Sequence, residues 1–229
     1  MSKFKKEKLL LLIPIHNYKE GVQRLEKFAQ DELKNFFGDF QISLVNNNSN
    51  KDTINLLTEL SKKENVSLYN VKKNKSLKES LWAGFKEGLK KITPTIVAVW
   101  ETDAIPNLKT FEAMISKFIE EKNDGAKIAS VSPMYTWLGS YVYPTHSHWL
   151  TDPLYSHHSR LGEIRVAHAV PFLFSVWEPL LFMEINNKKF RSFIGLDTDF
   201  GKNATQKGFK HLRLINYNIE HERGGKNSR

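Results

Sequence analysis

The sequence predicts an α/β fold with a mostly parallel central sheet flanked by helices, and three observations predict it. Short apolar runs alternate with segments of helical period from residue 9 to residue 131. Several of the runs are apolar throughout instead of alternating, as expected of strands covered on both faces. Polar clusters follow the runs directly, at the strand ends where sheets of this kind bind ligands.

Leu9–Ile13 is the first strand, broken by Pro14 and Asn17. Val22, Leu25, Phe28, Ala29, Leu33 and Phe36 then recur at three- and four-residue steps, which makes an amphipathic helix. Gly38 and Asp39 are expected to turn the chain into a second strand, Ile42–Val45, which ends in the run Asn46-Asn47-Asn48-Ser49-Asn50. Thr53 to Leu60 reads as a helix and Val66–Val71 as a third strand. Leu77, Leu81, Phe85 and Leu89 repeat every four residues, and Ser76 is placed to cap that helix. Thr95–Trp100 is a β-branched, apolar strand followed by Glu101-Thr102-Asp103. Phe111, Met114, Ile115, Phe118 and Ile119 form the next helical face, and Lys127–Val131 the next strand.

Helical periodicity is lost after about residue 132. Residues 133–177 hold Tyr135, Trp137, Tyr141, Tyr143, Trp149, Tyr155 and Trp177 and five of the eight histidines, so loops and short elements are expected there. Val170–Val176 is apolar enough for a strand, a helix leads to Gly208, and Leu212–Ile215 is the last strand. No internal repeat or linker divides the chain, so a single domain over 1–229 is expected.

Composition narrows the classes. Hydrophobic residues make up 40% and charged residues 26% of the 229 residues, which excludes wholesale disorder. There is no cysteine, so disulfides and Cys-based zinc sites are excluded, and the usage fits a reducing, cytoplasmic compartment. The longest apolar run, Leu9 to Ile15, is far short of the ~18 residues a membrane span needs. Lys3, Lys5, Lys6 and Lys8 precede it, but Asn17, Lys19 and Glu20 follow in place of a cleavage site, so a strand is expected, not a signal peptide. The net charge is +9. Basic and acidic residues number 15 and 10 over 1–80, 12 and 13 over 81–200, and 7 and 2 over 201–229. The basic excess thus sits at the two ends, where it suits anionic small molecules, an anionic membrane surface or nucleic acid, or is simply a solvated lysine surface.

Two carboxylate pairs carry the chemistry. Glu101 and Asp103 sit two residues apart just after a strand, a donor set suited to a hard cation such as Mn²⁺ or Mg²⁺ holding phosphate oxygens. An acid pair capping the next helix has the same look. Asp197 and Asp199 follow Phe193-Ile194-Gly195 and open a helical segment; they suit a general base or, equally, an N-cap pair.

Taken in order, the motifs resemble GT-A fold glycosyltransferases, family 2 in particular. Leu10-Leu-Leu-Ile-Pro-Ile-His-Asn17 is similar to that family's first strand, and Val45-Asn-Asn-Asn-Ser-Asn-Lys-Asp-Thr53 to its Val-Asp-Asp-Gly-Ser segment. Asn74 to Gly84 matches the family's Asn-x-Gly…Ala-Gly spacing. Val99-Trp-Glu-Thr-Asp-Ala-Ile-Pro106 stands at the Asp-x-Asp position, and Phe193 to Gly201 at the later acidic segment. The chain departs from the pattern at Asn46 and Glu101, which replace Asp, at Ser76, which replaces Gly, and at Leu196, which replaces an acid.

The resemblance implies a Rossmann-like GT-A domain, with a nucleotide-sugar-binding half over 1–132 and an acceptor-binding half over 133–229. It implies a metal-dependent, inverting transfer of a sugar from a nucleotide-diphosphate sugar to a hydroxyl of a glycan or lipid-linked acceptor, with Mn²⁺ or Mg²⁺ as cofactor. Pro14, Asn17, Asn46, Asn47 and Asn74 would line the nucleoside site, and Lys78, with Arg223 and Lys226, would meet phosphate. Glu101 and Asp103 would hold ribose and metal-diphosphate, His221 would be a further metal contact, and Asp197 the base, with Asp199 its alternative. Trp137, Tyr141, Tyr143 and Trp149 are acceptor-stacking candidates. His146, His148, His157 and His158 lack zinc-ligand spacing. The basic ends suggest peripheral contact with anionic membrane, and nucleic acid is not expected, because the acid pairs repel phosphate unless a metal is bound. A sugar-phosphate nucleotidyltransferase would share the metal chemistry, but Asn17-Tyr18-Lys19-Glu20-Gly21 is not its Gly-rich, basic phosphate loop. A non-catalytic carbohydrate- or nucleic-acid-binding protein is the remaining alternative.

Overall fold

The computed structural model describes residues 3–31, 33–73, 75–137, 140–142, 164–167, 170, 172–192 and 195–222. Along the chain run β1 (Phe4–Ile15), α1 (Lys19–Asp31), α2 (Leu33–Phe36), β2 (Phe37–Asn46), α3 (Lys51–Leu60), β3 (Val66–Asn70), α4 (Leu77–Leu89) and β4 (Ile96–Trp100). Then come α5 (Leu108–Asn123), β5 (Ile128–Trp137), β6 (Ser140–Val142), β7 (Ile164–Ala167), β8 (Phe174–Trp177), α6 (Pro179–Phe182), α7 (Leu196–Gln206) and β9 (Lys210–His221).

The strands join one sheet in the order β3-β2-β1-β4-β8-β5-β9-β7, with β6 paired to β5. Strands β1, β2, β3, β4, β5 and β9 run in one direction, and β6, β7 and β8 run against it. The mostly parallel sheet expected from the sequence is therefore present, with a reversed strand inserted between β4 and β5.

The continuous apolar runs have a direct cause. Leu9, Leu11, Ile13 and Ile15 pack into one core with Phe28, Trp100, Phe111 and Phe174, while Leu10 and Leu12 pack into a second with Leu81, Phe85, Trp177 and Phe200. Strand β4 divides likewise, Ile96, Ala98 and Trp100 to the first core and Val97 and Val99 to the second. Both faces are covered, so neither permits the polar alternation of a one-sided strand. Helix α4 lies so close to β1 that a Cβ at Gly88 would meet Leu10 Cδ1 at 2.3 Å.

Local signals behave as the residue types require. Ser76 accepts from the Glu79 backbone N–H and the Glu79 carboxylate accepts from the Ser76 N–H, a full capping box that also holds the Glu79 carboxyl below its usual pKa. Ser76→Ala is expected to cost about 1 kcal/mol in urea unfolding. Gly38 and Asp39 do not turn the chain. They lie within β2, because Phe37 pairs with Phe4 and draws the strand back toward the start of β1. Strand β9 extends well past Ile215, its far half pairing as Asn218–His221 against Met134–Trp137. Among the described residues no helix is long and apolar enough to cross a membrane.

Candidate active site

The parallel strands β1, β2, β4 and β9 end at Ile15, Asn46, Trp100 and His221, and the candidate residues gather at these carboxyl ends. An open cleft of about 340 Å³ lies there, lined by Pro14, Ile15, His16, Tyr18, Asn47, Leu77, Ser80, Glu101, Thr102 and Asp103.

The acid loop is held firmly. Glu101 N–H donates to Leu173 O at 2.7 Å, Ala104 N–H to Glu101 O at 2.9 Å, and the Trp100 indole N–H to Ala104 O at 2.9 Å. Strand β9 reaches this loop from the far half of the sheet: Ala104 bridges His221, Ile105 N–H donates to Glu220 O at 2.9 Å, and Glu222 N–H to Asp103 O at 2.8 Å. These bonds set His221 Nε2 3.0 Å from Asp103 Oδ2. The other Asp103 oxygen, Oδ1, is buried with no hydrogen-bond partner.

Asp197, in the first turn of α7, bears on the same place although it lies far away in sequence. Burial raises the Glu101 pKa to about 8, and the charges of Asp103 and then Asp197 add to the rise. Glu101 and Asp197 also act on Tyr135, whose hydroxyl donates to Phe174 O at 3.0 Å and whose pKa is raised, chiefly by burial. Neither Tyr135 nor the buried Arg213 beside it carries a motif visible in the sequence.

Asp199 has a different task. Its carboxylate accepts from Arg191 Nε, Nη2 and backbone N–H at 2.8–3.0 Å, and that pairing holds its pKa low. Gly195 begins the helix at φ 83, and a Cβ there would meet the Arg191 guanidinium at 2.3 Å. Asp199 therefore fastens the start of α7, while Asp197 is the one of the two whose charge acts on Glu101. Because the folded pKa is depressed, the contribution of Asp199 to stability is present above the unfolded value and is lost as pH falls through the folded one. Asp199→Asn is accordingly expected to flatten the acid limb of a stability-versus-pH curve, with far less effect on turnover than Asp197→Asn.

The expected nucleoside residues separate into two sets. Pro14 and Asn47 line the cleft. Asn17 and Asn46 serve the loops: Asn17, at φ 52, accepts from Asn50 N–H at 2.6 Å, and Asn46 accepts from Ser49 N–H at 2.9 Å while donating to Asn70 at 2.8 Å. Asn47 also makes a two-point pair with the Lys75 backbone. Lys78 is 8% exposed and its Nζ donates to the Asn187 and Phe190 carbonyls, so it does not serve as a phosphate partner. Asn74, Tyr143, Trp149, His146, His148, His157, His158, Arg223 and Lys226 lie outside the described residues, as do the side chains of Trp137 and Tyr141. His16, Tyr18 and Thr102 are cleft residues the motif reading passed over, although His16 stands within the Pro14-to-Asn17 turn.

The donors suit a divalent cation. Asp103 Oδ2 and His221 Nε2 are about as far apart as adjacent corners of an octahedron with bonds of about 2.1 Å. Oδ1 is an unused buried acceptor, and the crowded carboxylates have no Lys or Arg among the described residues lining the cleft. The described residues contain no ready set of three or more His, Asp or Glu ligands, so Glu101 does not complete a triad with Asp103 and His221. Two protein ligands with the rest supplied by phosphate and water is a usual arrangement for Mg²⁺ with nucleotides.

The mixed α/β sheet with an acid loop at its carboxyl edge is matched by a family signature in the sequence. The profile of Glycosyl transferase family 2 matches residues 11–177, and the chain belongs to that family. No curated protein sequence matches the chain. Among solved structures, GalNAc-T7 with UDP, GalNAc and Mn²⁺ superposes with a TM-score of 0.70 at 11% identity, over 96% of this chain and 44% of that one. The mannosyltransferase PcManGT from Pyrobaculum calidifontis, in complex with GDP-Man and Mn²⁺, superposes with a TM-score of 0.68 at 10% identity, over 97% and 58%. The chain thus spans about half the length of these neighbours, and they establish the GT-A fold.

Proposed function

We propose that this chain transfers a sugar from a nucleotide-diphosphate sugar to a hydroxyl acceptor, with inversion and with a divalent cation, Mn²⁺ or Mg²⁺. The observation that carries the reading is the convergence of Glu101, Asp103, Asp197 and His221 at one edge of the sheet, from segments up to 120 residues apart. The UDP or GDP-Man and the Mn²⁺ bound in the two structural neighbours support the class of donor and the cation.

Asp103 and His221 would hold the cation, which when bound offsets charge on the departing diphosphate. Pro14, Asn47 and Tyr18 shape the cleft for the nucleoside and diphosphate. Asp197 takes the proton of the acceptor hydroxyl, whose oxygen bonds to the anomeric carbon on the face opposite the diphosphate. The bond from that carbon to the diphosphate oxygen breaks with its electron pair, and the configuration inverts. Residues 1–132 supply the donor side and 133–229 the acceptor side, but His221, through Asp103, makes the second half part of the donor site as well. The acceptor is a glycan or a lipid-linked hydroxyl.

Strand β1 runs from Phe4 to Ile15, about 40 Å at ~3.3 Å per residue, so Lys3, Lys5, Lys6 and Lys8 lie at the end of the sheet remote from the cleft. They are contacts for an anionic membrane, not for the donor; Lys3 and Lys8 also pair with Glu112 and Asp39. Removing their charges is expected to lower sedimentation with anionic vesicles, and unchanged partition would rule this contact out.

A thermal-shift screen of nucleotide sugars checks the reading. Stabilisation by one nucleobase class, present with Mn²⁺ and removed by chelator, is expected. A flat response across UDP-, GDP-, CDP- and dTDP-sugars would count against it.

A further inference from the structure

Two consecutive residues at the end of β9 control Asp103. His221 meets its side chain, and the Glu222 backbone N–H holds its carbonyl at 2.8 Å. Whatever fixes Glu222 therefore fixes the Asp103–His221 pair. The Glu222 carboxylate is gripped from α1 and the residue just before it: Tyr18 Oη and Arg24 Nη2 both donate to its Oε2. Arg24 Nη2 also donates to Tyr18 Oη at 3.3 Å, and the guanidinium carbon lies 5.6 Å from the centre of the Tyr18 ring. The same helix face touches the acid loop directly, since a Cβ at Gly21 would meet Thr102 O at 2.5 Å.

As a stabilising feature this group would be minor. The Arg24 and Glu222 side chains are 26% and 34% exposed, and ion pairs so accessible to water contribute little to folding. Its placement gives it another use. It joins helix α1 to a strand end about 200 residues later, one residue from a candidate metal ligand, and Tyr18 itself lines the cleft.

We propose that Tyr18, Arg24 and Glu222 form a positioning clamp that sets Asp103 and His221 for the divalent cation. The clamp rests on the reading of Asp103 as a metal ligand. Residues that orient metal ligands change metal affinity by about 10- to 100-fold when replaced. A role confined to folding would lower the melting temperature and leave the affinity of the folded protein unchanged.

The test is titration of the full chain with Mn²⁺ alone, followed by the electron paramagnetic resonance signal of the free ion. Wild type is compared with Tyr18→Phe, Glu222→Gln, the double variant and Asp103→Ala, each checked for folding by circular dichroism. Tyr18→Phe removes a single oxygen, so it serves even if a change at Glu222 impairs folding. The clamp predicts that Asp103→Ala abolishes binding and that Tyr18→Phe and Glu222→Gln each weaken it by about tenfold or more. The double variant should be no weaker than Glu222→Gln, since both changes act through one carboxylate. Wild-type affinity in folded Tyr18→Phe and Glu222→Gln, with binding lost in Asp103→Ala, would overturn the clamp and leave the metal site standing. Binding undiminished in Asp103→Ala would overturn the metal site and the clamp with it.

Discussion

Asp103→Ala is expected to lower sugar-transfer turnover by on the order of 100-fold or more and to remove Mn²⁺-dependent donor binding with it. A bound cation supplies several kcal/mol of charge stabilisation to a departing diphosphate, and each ~1.4 kcal/mol is a factor of ten in rate. Among the described residues lining the cleft there is no Lys or Arg to share that task. The carboxylate also offers the cation an oxygen, Oδ1, that no other group uses. Its removal leaves His221 as the one remaining ligand of the pair. Asp103→Asn is the sharper control: it keeps the shape and one oxygen acceptor but loses the charge. Donor titrations with and without Mn²⁺ measure both effects. Turnover within a few-fold of wild type in Asp103→Ala would remove it from the metal site.

Asp197→Asn should act differently, lowering kcat by about 10²- to 10⁴-fold, the usual contribution of a positioned general base. Donor affinity should stay close to wild type, because the group acts on the acceptor. Asp197 stands at the start of α7, where its Oδ1 accepts from Thr198 N–H at 2.8 Å, an arrangement asparagine can retain. Steady-state kinetics on both substrates make the comparison. Equal losses in Asp197→Asn and Asp199→Asn would contradict the division of labour, since Asp199 is bound up with Arg191.

Much of the fold was legible because β1 and β4 are buried on both faces, so their composition alone announces central strands. Ser76 marked the start of α4 just as plainly, whereas the return bond from Glu79 shows only in the structure. The direction of β8 was not legible, since an apolar strand reads the same both ways, and its antiparallel pairing with β4 and β5 shows the reversal. Nor was the length of β9, whose outer half carries Asn218 and Glu220 and is kept extended by β5. In the site, Glu101 and Asp103 were legible because they follow a strand. The choice between Asp197 and Asp199 was not, since it depends on Arg191, eight residues before Asp199 and part of no motif. The asparagine run identified a loop that borders the cleft, but residue type could not say that Asn46 bonds within the fold while Asn47 lines the cleft. Tyr18, Arg24 and Glu222 left no trace, since nothing in a sequence connects residues about 200 positions apart.

If the acid cluster and a divalent cation together cleave a nucleotide sugar, nucleoside diphosphate is released only while both are in place. The direct measurement is release of nucleoside diphosphate from a panel of nucleotide sugars as Mn²⁺ is titrated, in wild type and Asp103→Ala. Release from one nucleobase class is expected, rising with Mn²⁺, abolished by chelator and lost in the variant. Release that persists in chelator, or that Asp103→Ala leaves at the wild-type rate, would contradict it.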